Sequence, residues 1–167
     1  LGEDAVNRAL RGYLEERRFG SAPYPTSLDL LRHLRAQASP QQQALITDLF
    51  ERITIYDLKA KSAQTRQLPD GRWRTRITIA AGKFTADAKG RETPARLDES
   101  IEIGLFTARP GQGAFAQGNV LAMKPYPLRA GEQVIEVITA EKPLFAGVDP
   151  YNFTIDRDSD DNVVEVD

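Results

Sequence analysis

The chain has 167 residues, 41% of them apolar and 28% charged, a net charge of −2, a single histidine (His33) and no cysteine. This is a globular composition, long enough to bury a core without staples. It excludes disulfides, thiolate metal sites, zinc sites built from two or more histidines, and any helical membrane span of ~18 apolar residues.

The chain opens at Leu1 inside an apolar-periodic segment, which reads as a piece of something longer. Val6, Leu10, Tyr13 and Leu14 recur at helical intervals, and Gly20 suits a helix stop. A Pro-rich connection follows from Ser21 to Pro25. Thr26, with Asp29 three residues on, resembles a capping box and opens a second helix with Leu28, Leu31 and Leu34 on its apolar face. Ser39-Pro40-Gln41-Gln42 opens a third, because Ser caps, Pro tolerates the first turn and Gln42 reaches back. Its expected buried stripe is Leu45, Ile46, Leu49, Phe50 and Ile53.

Beyond residue 53 the period drops towards two. Ile53, Ile55 and Leu58 begin an extended segment that reaches Gln67. Leu68-Pro69-Asp70-Gly71 is a turn: Pro sets φ, Asp bonds back to the backbone and Gly accepts positive φ. Trp73, Thr75, Ile77 and Ile79 are expected inward, with Arg72, Arg74, Arg76 and Thr78 outward. Ile101, Ile103 and Leu105 repeat the alternation, with Glu102 outward. Arg109 to Gly118 is a Gly-rich loop. Val120–Met123 and Glu132–Thr139 are further strands, turned at Arg129-Ala130-Gly131. Pro125 and Pro127 belong at a sheet edge or a crossover, since neither donates to a ladder. The fold class expected is α+β, with short N-terminal helices over 1–53 followed by an antiparallel β-sandwich over 54–167.

Charge is unevenly spread. Residues 1–53 carry seven basic and seven acidic side chains, 54–97 carry ten and four, and 98–167 carry five and thirteen. Basic strands beside acidic ones in one sheet account for this pattern better than a basic face kept for nucleic acid. The Arg72, Arg74, Arg76 row with Trp73 does not form a stacking platform, because Trp73 is out of phase with the arginines.

Few residues suggest chemistry. His33 lies on the second helix, and neither Ser27 nor Asp29 can join it in a triad there, so a packing role is expected. The acidic tail is the metal candidate. Asp156, Asp158 and Asp160 stand at positions 1, 3 and 5 of a calcium-loop spacing, and Asp167 at position 12. Against this, Asp161 occupies the position that needs Gly, and Asp167 is shorter than the usual Glu. A solvated acidic turn is the simpler expectation. Gly111-Gln112-Gly113 lacks both the following Gly and the helix of a phosphate loop.

Ordered words extend along the whole chain. Glu3-Asp4-Ala5-Val6-Asn7-Arg8-Ala9-Leu10, Pro23-Tyr24-Pro25-Thr26-Ser27 and Ile46-Thr47-Asp48-Leu49-Phe50-Glu51 come first. Gly147-Val148-Asp149-Pro150-Tyr151, Ile155-Asp156-Arg157 and Asp160-Asp161-Asn162 close it. Together they resemble the C-terminal part of bacterial membrane proteins that join a transporter-permease-like membrane region to a zinc aminopeptidase domain of the aminopeptidase N type.

The resemblance implies that residues 1–53 are the last helices after the catalytic part and that 54–167 form an immunoglobulin-like β-sandwich. It implies a zinc ion in the catalytic domain of the parent and no cofactor in this segment. The zinc-binding H-E-x-x-H helix has no matching position here, so no catalytic residue carries over. The expected partner is the catalytic domain of the same polypeptide, and membrane contact would come only through upstream segments. The expected location is a soluble, extracytoplasmic domain of a membrane protein. Without a nucleophile–base–orienter set, the segment itself is not expected to be an enzyme. The alternative is an extracytoplasmic binding module, taking a peptide at a sheet edge or calcium at the acidic tail.

Overall fold

The computed structural model describes residues 1–167, the side chain of Gln41 excepted. The chain divides into two compact units, Leu1–Ile53 and Thr54–Asp167. Its class is α+β, with three helices and eight antiparallel strands in two sheets. No helix among the described residues is long and apolar enough to cross a membrane.

The first unit holds α1 (Glu3–Arg17), α2 (Ser27–Gln37) and α3 (Pro40–Phe50). The Ser39 cap is made in both directions and the Thr26 cap through Asp29 alone. The Thr26 N–H donates to Asp29 Oδ2 at 2.8 Å. The Ser39 N–H donates to Gln42 Oε1 at 2.9 Å, and the Gln42 N–H returns to Ser39 Oγ at 3.4 Å. Each exchange satisfies amides that a helix start leaves without partners. At the end of α1, Phe19 rather than Gly20 takes the left-handed conformation, at φ 56°, with its side chain wholly exposed.

The helix stripes are only partly buried, which for α3 departs from the expectation. On α1 the covered face is Ala5 and Ala9, while Leu10 and Leu14 are exposed. Small residues let α2 approach closely: a Cβ on Gly12 would meet His33 Nδ1 at 3.1 Å. On α2, Leu31 and Leu34 are buried and Leu28 is not. Among the described side chains of α3 only Ile46 is buried, leaving Leu45, Leu49 and Phe50 in solvent, together with Ile53. The core of this unit is therefore Ala9, Leu31, Leu34 and Ile46, flanked by Leu1, Leu30 and Ala38. Polar bonds supplement it. Arg35 reaches from α2 to Gln43 Oε1 (2.9 Å), Thr47 Oγ1 (2.7 Å) and Glu51 (3.0 Å).

The second unit is built from β1 (Ile53–Gln67), β2 (Trp73–Ala86), β3 (Glu92–Pro94), β4 (Asp98–Phe106), β5 (Val120–Arg129), β6 (Gly131–Thr139), β7 (Phe145–Val148) and β8 (Val163–Glu165). In one sheet β2 pairs with β1, β3 and β6; the other runs β5-β4-β7-β8. The turn between β1 and β2 forms as expected, with Gly71 at φ 85° and the Arg72 N–H on Asp70 Oδ1 at 3.1 Å.

Alternation holds along β2, where Thr75, Ile77 and Ile79 are fully buried. Trp73 is only half-buried at the start of the strand, with Lys142 over its ring at 5.6 Å, so it marks the margin of the core. In β1 the inward residues are Thr54, Tyr56, Leu58 and Ala60, while Ile53 is exposed and Ile55 is half-buried. Lys61 and Ser62 are both outward, and the phase then resets at Ala63.

Arg129-Ala130-Gly131 does not close a hairpin within one sheet. β5 pairs with β4 while β6 pairs with β2, so the chain changes sheet there. Pro125 and Pro127 lie in β5, an edge strand, opposite Glu102 and Ser100. One core joins the two sheets, drawing Leu58, Ile77 and Ile79 from the first and Ile103, Leu105, Leu128 and Val148 from the second. Gly104 is required beside it, because a Cβ there would sit 2.2 Å from the ring of buried Phe106.

The C-terminal segment lines the outer edge of β1 in parallel. The Tyr56 N–H donates to the Ile155 carbonyl at 2.8 Å, and the Arg157 N–H to the Tyr56 carbonyl at 2.9 Å. Further on, the Asp167 N–H donates to Ala63 and the Thr65 N–H to Asp167, both at 3.0 Å. Between these contacts β8 pairs with β7 of the other sheet. An edge that would otherwise offer free amides and carbonyls is thereby covered.

Candidate functional site

The first candidate is the group around His33, set by the packing of α1 on α2. His33 Nε2 lies 2.9 Å from Glu16 Oε2, and its ring meets Tyr13 edge-on at 6.0 Å. Arg32 donates to both Glu16 oxygens at 2.8 and 2.9 Å. The Arg32 hydrogen bond holds the Glu16 carboxyl below the usual carboxylate range, against an opposing burial effect and with help from His33. Asp29, which pairs with Arg17, is likewise lowered, chiefly by the Thr26 backbone N–H. The imidazole thus packs and pairs between two helices. One imidazole and no thiolate do not supply the donor set of a peptidase zinc.

The acidic tail is organised by its own backbone. Asp156 Oδ1 accepts from the Asp158 N–H (3.3 Å) and the Leu58 N–H (3.4 Å), and its Oδ2 from Asn162 Nδ2 (3.0 Å). Asp158 Oδ1 accepts from the Asp160 N–H at 3.2 Å and caps a short 3-10 turn, Ser159–Asp161. The Asp160 carbonyl receives Arg109 at 3.3 Å, and Asp161 pairs with Lys59 at 2.8 Å. That hydrogen bond raises the Lys59 ammonium above its ordinary range. Asp167 lies apart, in the strand-like contact with β1. Among the described residues no three His, Asp or Glu side chains converge as a metal cluster.

Two groups escaped sequence reasoning. Lys83 is only 5% exposed, donates to Glu99 and lies 5.6 Å from the Tyr56 ring centre; Tyr56 Oη donates to Glu99 at 2.6 Å. The signal was available, since Lys83 falls in phase with inward Ile77, Ile79 and Ala81. A buried ammonium needs a carboxylate, and Glu99 supplies it. The second is Asp149, buried at φ 42°, whose carboxylate accepts from the Phe153 N–H (3.0 Å), the Thr154 N–H (2.9 Å) and Thr154 Oγ1 (2.6 Å). It shapes the loop that carries Tyr151 and exposed Phe153, whose rings meet edge-on at 6.1 Å.

Several large apolar side chains are exposed in both units, Phe153 and Ile155 in the second among them. Leu14, Leu28, Leu49 and Phe50 are each roughly 60–70% exposed, and Phe19 entirely so, all within the helical unit. Scattered exposed apolar residues are ordinary. Here the exposed ones outnumber the four that form the unit's core. No protein-family model and no curated protein matches the chain.

Proposed function

We propose that this chain is a non-catalytic C-terminal structural module of a membrane-anchored zinc metallopeptidase of the aminopeptidase N type, packing on the catalytic domain of the same polypeptide. In this reading the helical unit completes the helices of the catalytic region. The two-sheet unit is an immunoglobulin-like β-sandwich on the extracytoplasmic side. The zinc and the peptidase chemistry belong to the parent, and this segment shapes access to the cleft.

The observation that carries the reading is the uncovered apolar surface of the helical unit. Leu14, Leu49 and Phe50 stand on helices whose own core is four residues. Such a surface is stable in water only at a cost, and a neighbouring domain removes that cost. Phe19 adds a second reason. A bulky residue held left-handed and fully exposed is strained without any return from its own unit, and serves as an anchor for a partner's pocket.

The test mixes this chain with the separately produced catalytic domain. Association is expected, with a rise in the melting temperature of the peptidase. Leu49→Lys and Phe19→Ala should abolish it while leaving the far-UV spectrum of the chain unchanged. No association, or association indifferent to both substitutions, would sink the reading.

A further inference from the structure

We propose that the outer face of the β1–β2 hairpin binds a phosphate group, through Arg66, Arg74 and Arg76. The Leu68 N–H bonds the Arg72 carbonyl at 2.7 Å, and Thr65 Oγ1 meets Thr75 Oγ1 at 3.0 Å. This register sets Arg66 across from Arg74 and Gln64 across from Arg76, all outward. Like charges directly opposed on neighbouring strands are destabilising.

The other cations on these two strands are matched. Lys59 pairs with Asp161, Lys61 with Glu132, Arg76 with Glu136 and Lys83 with Glu99. Among the described residues, Arg66 and Arg74 alone of these cations take part in no ion pair. Electrostatic pairing is therefore complete along the hairpin except where two guanidiniums face one another.

The space between them is concave. Gln64, Thr65, Arg66, Arg74, Arg76 and Glu136 line a shallow pocket of about 290 Å³. Three guanidiniums less one carboxylate leave a formal charge of +2, which a phosphate dianion neutralises. Guanidinium forks hold phosphate oxygens in bidentate fashion, and Gln64 offers a neutral donor beside them. The Thr65–Thr75 contact beneath keeps the two strands, and so the two forks, in register. Free phosphate and the phosphate of a lipid headgroup share this chemistry.

The experiment titrates the isotope-labelled full chain with inorganic phosphate at constant ionic strength. It is repeated with phosphatidylcholine vesicles containing phosphatidate. Saturable shifts of the Arg66 and Arg74 side-chain signals are expected in at least one arm, and the responding arm identifies the source. Arg66→Gln with Arg74→Gln should weaken binding by about tenfold or more, whereas Arg129→Gln should not. A linear response, a response that survives the double substitution, or an equal response to citrate overturns the site. A second readout uses stability. In phosphate-free buffer Arg66→Gln should melt above the wild-type chain, and it should lose the phosphate-induced rise in Tm that the wild type shows. A lower Tm for that variant would overturn the like-charge argument.

Discussion

The two units solve burial differently. In the β unit, Leu58, Ile77, Ile79, Leu105, Phe106, Leu128 and Val148 are essentially without exposure, and both sheets contribute to one core. In the helical unit five apolar residues are buried, two of them alanines, while most of the large ones stand in solvent. The β unit buries a core shared by both sheets; the β1 edge is covered by the C-terminal segment and the β5 edge carries Pro125 and Pro127. The helical unit makes good caps and good ion pairs and still lacks a cover. Local correctness of helices does not guarantee a self-sufficient fold, because helical stability in proteins comes mainly from packing an apolar face.

The largest test of this contrast is a matched pair of truncations. Leu105→Ala should cost about 2–5 kcal/mol in denaturant unfolding followed by Trp73 fluorescence. Leu49→Ala should cost less than about 0.5 kcal/mol. Equal costs would erase the distinction between the units. A smaller effect concerns the helices alone. Ser39→Ala removes a cap and should destabilise by about 1 kcal/mol, seen as loss of helical signal with the Trp73 transition unmoved. Phe19→Gly should do the reverse, stabilising the helical unit by up to about 1 kcal/mol in thermal melts, since glycine accepts φ 56° without strain.

Titration separates the units further. Glu16 and Asp29 have depressed folded pKa values, so their stabilisation is present above the ordinary carboxylate range and is lost as pH falls through the folded values. Acid should therefore loosen α1 from α2. Lys59 is raised, so its contribution is full below the ordinary ammonium range and disappears as pH rises through the folded value. Alkali should loosen the acidic turn from β1. Amide exchange at each pH checks both, and reversed assignments would refute the pairings. The smallest expected effect is that of calcium: millimolar amounts should leave the Tm unmoved. A clear rise, abolished by Asp158→Ala, would favour the calcium-binding alternative.

What could be read beforehand was local. Thr26 with Asp29, Ser39 with Gln42, and the turn at Leu68–Gly71 are decided by neighbours three residues apart. The alternation from Thr75 to Ile79 needs only a period of two. The α3 stripe was misread because spacing identifies an apolar face without saying whether its cover lies in the same chain. The covered face of α1 is the small-residue one, Ala5 and Ala9, where α2 comes close. Sheet membership at Arg129–Gly131 depends on pairings with β4 and β2, and the strand-like contacts of residues 155–157 on a partner about a hundred positions away, which no local pattern encodes. Lys83 was legible by phase, but its partner Glu99 lies sixteen residues away.

The edge contact along β1 has a consequence for biosynthesis. Tyr56 leaves the ribosome long before Ile155 and Arg157 exist to bind it, and Ala63 waits until Asp167 has been made. Through that interval the nascent strand presents naked amides to any passing polypeptide. That edge is sealed only once Asp167 has been made.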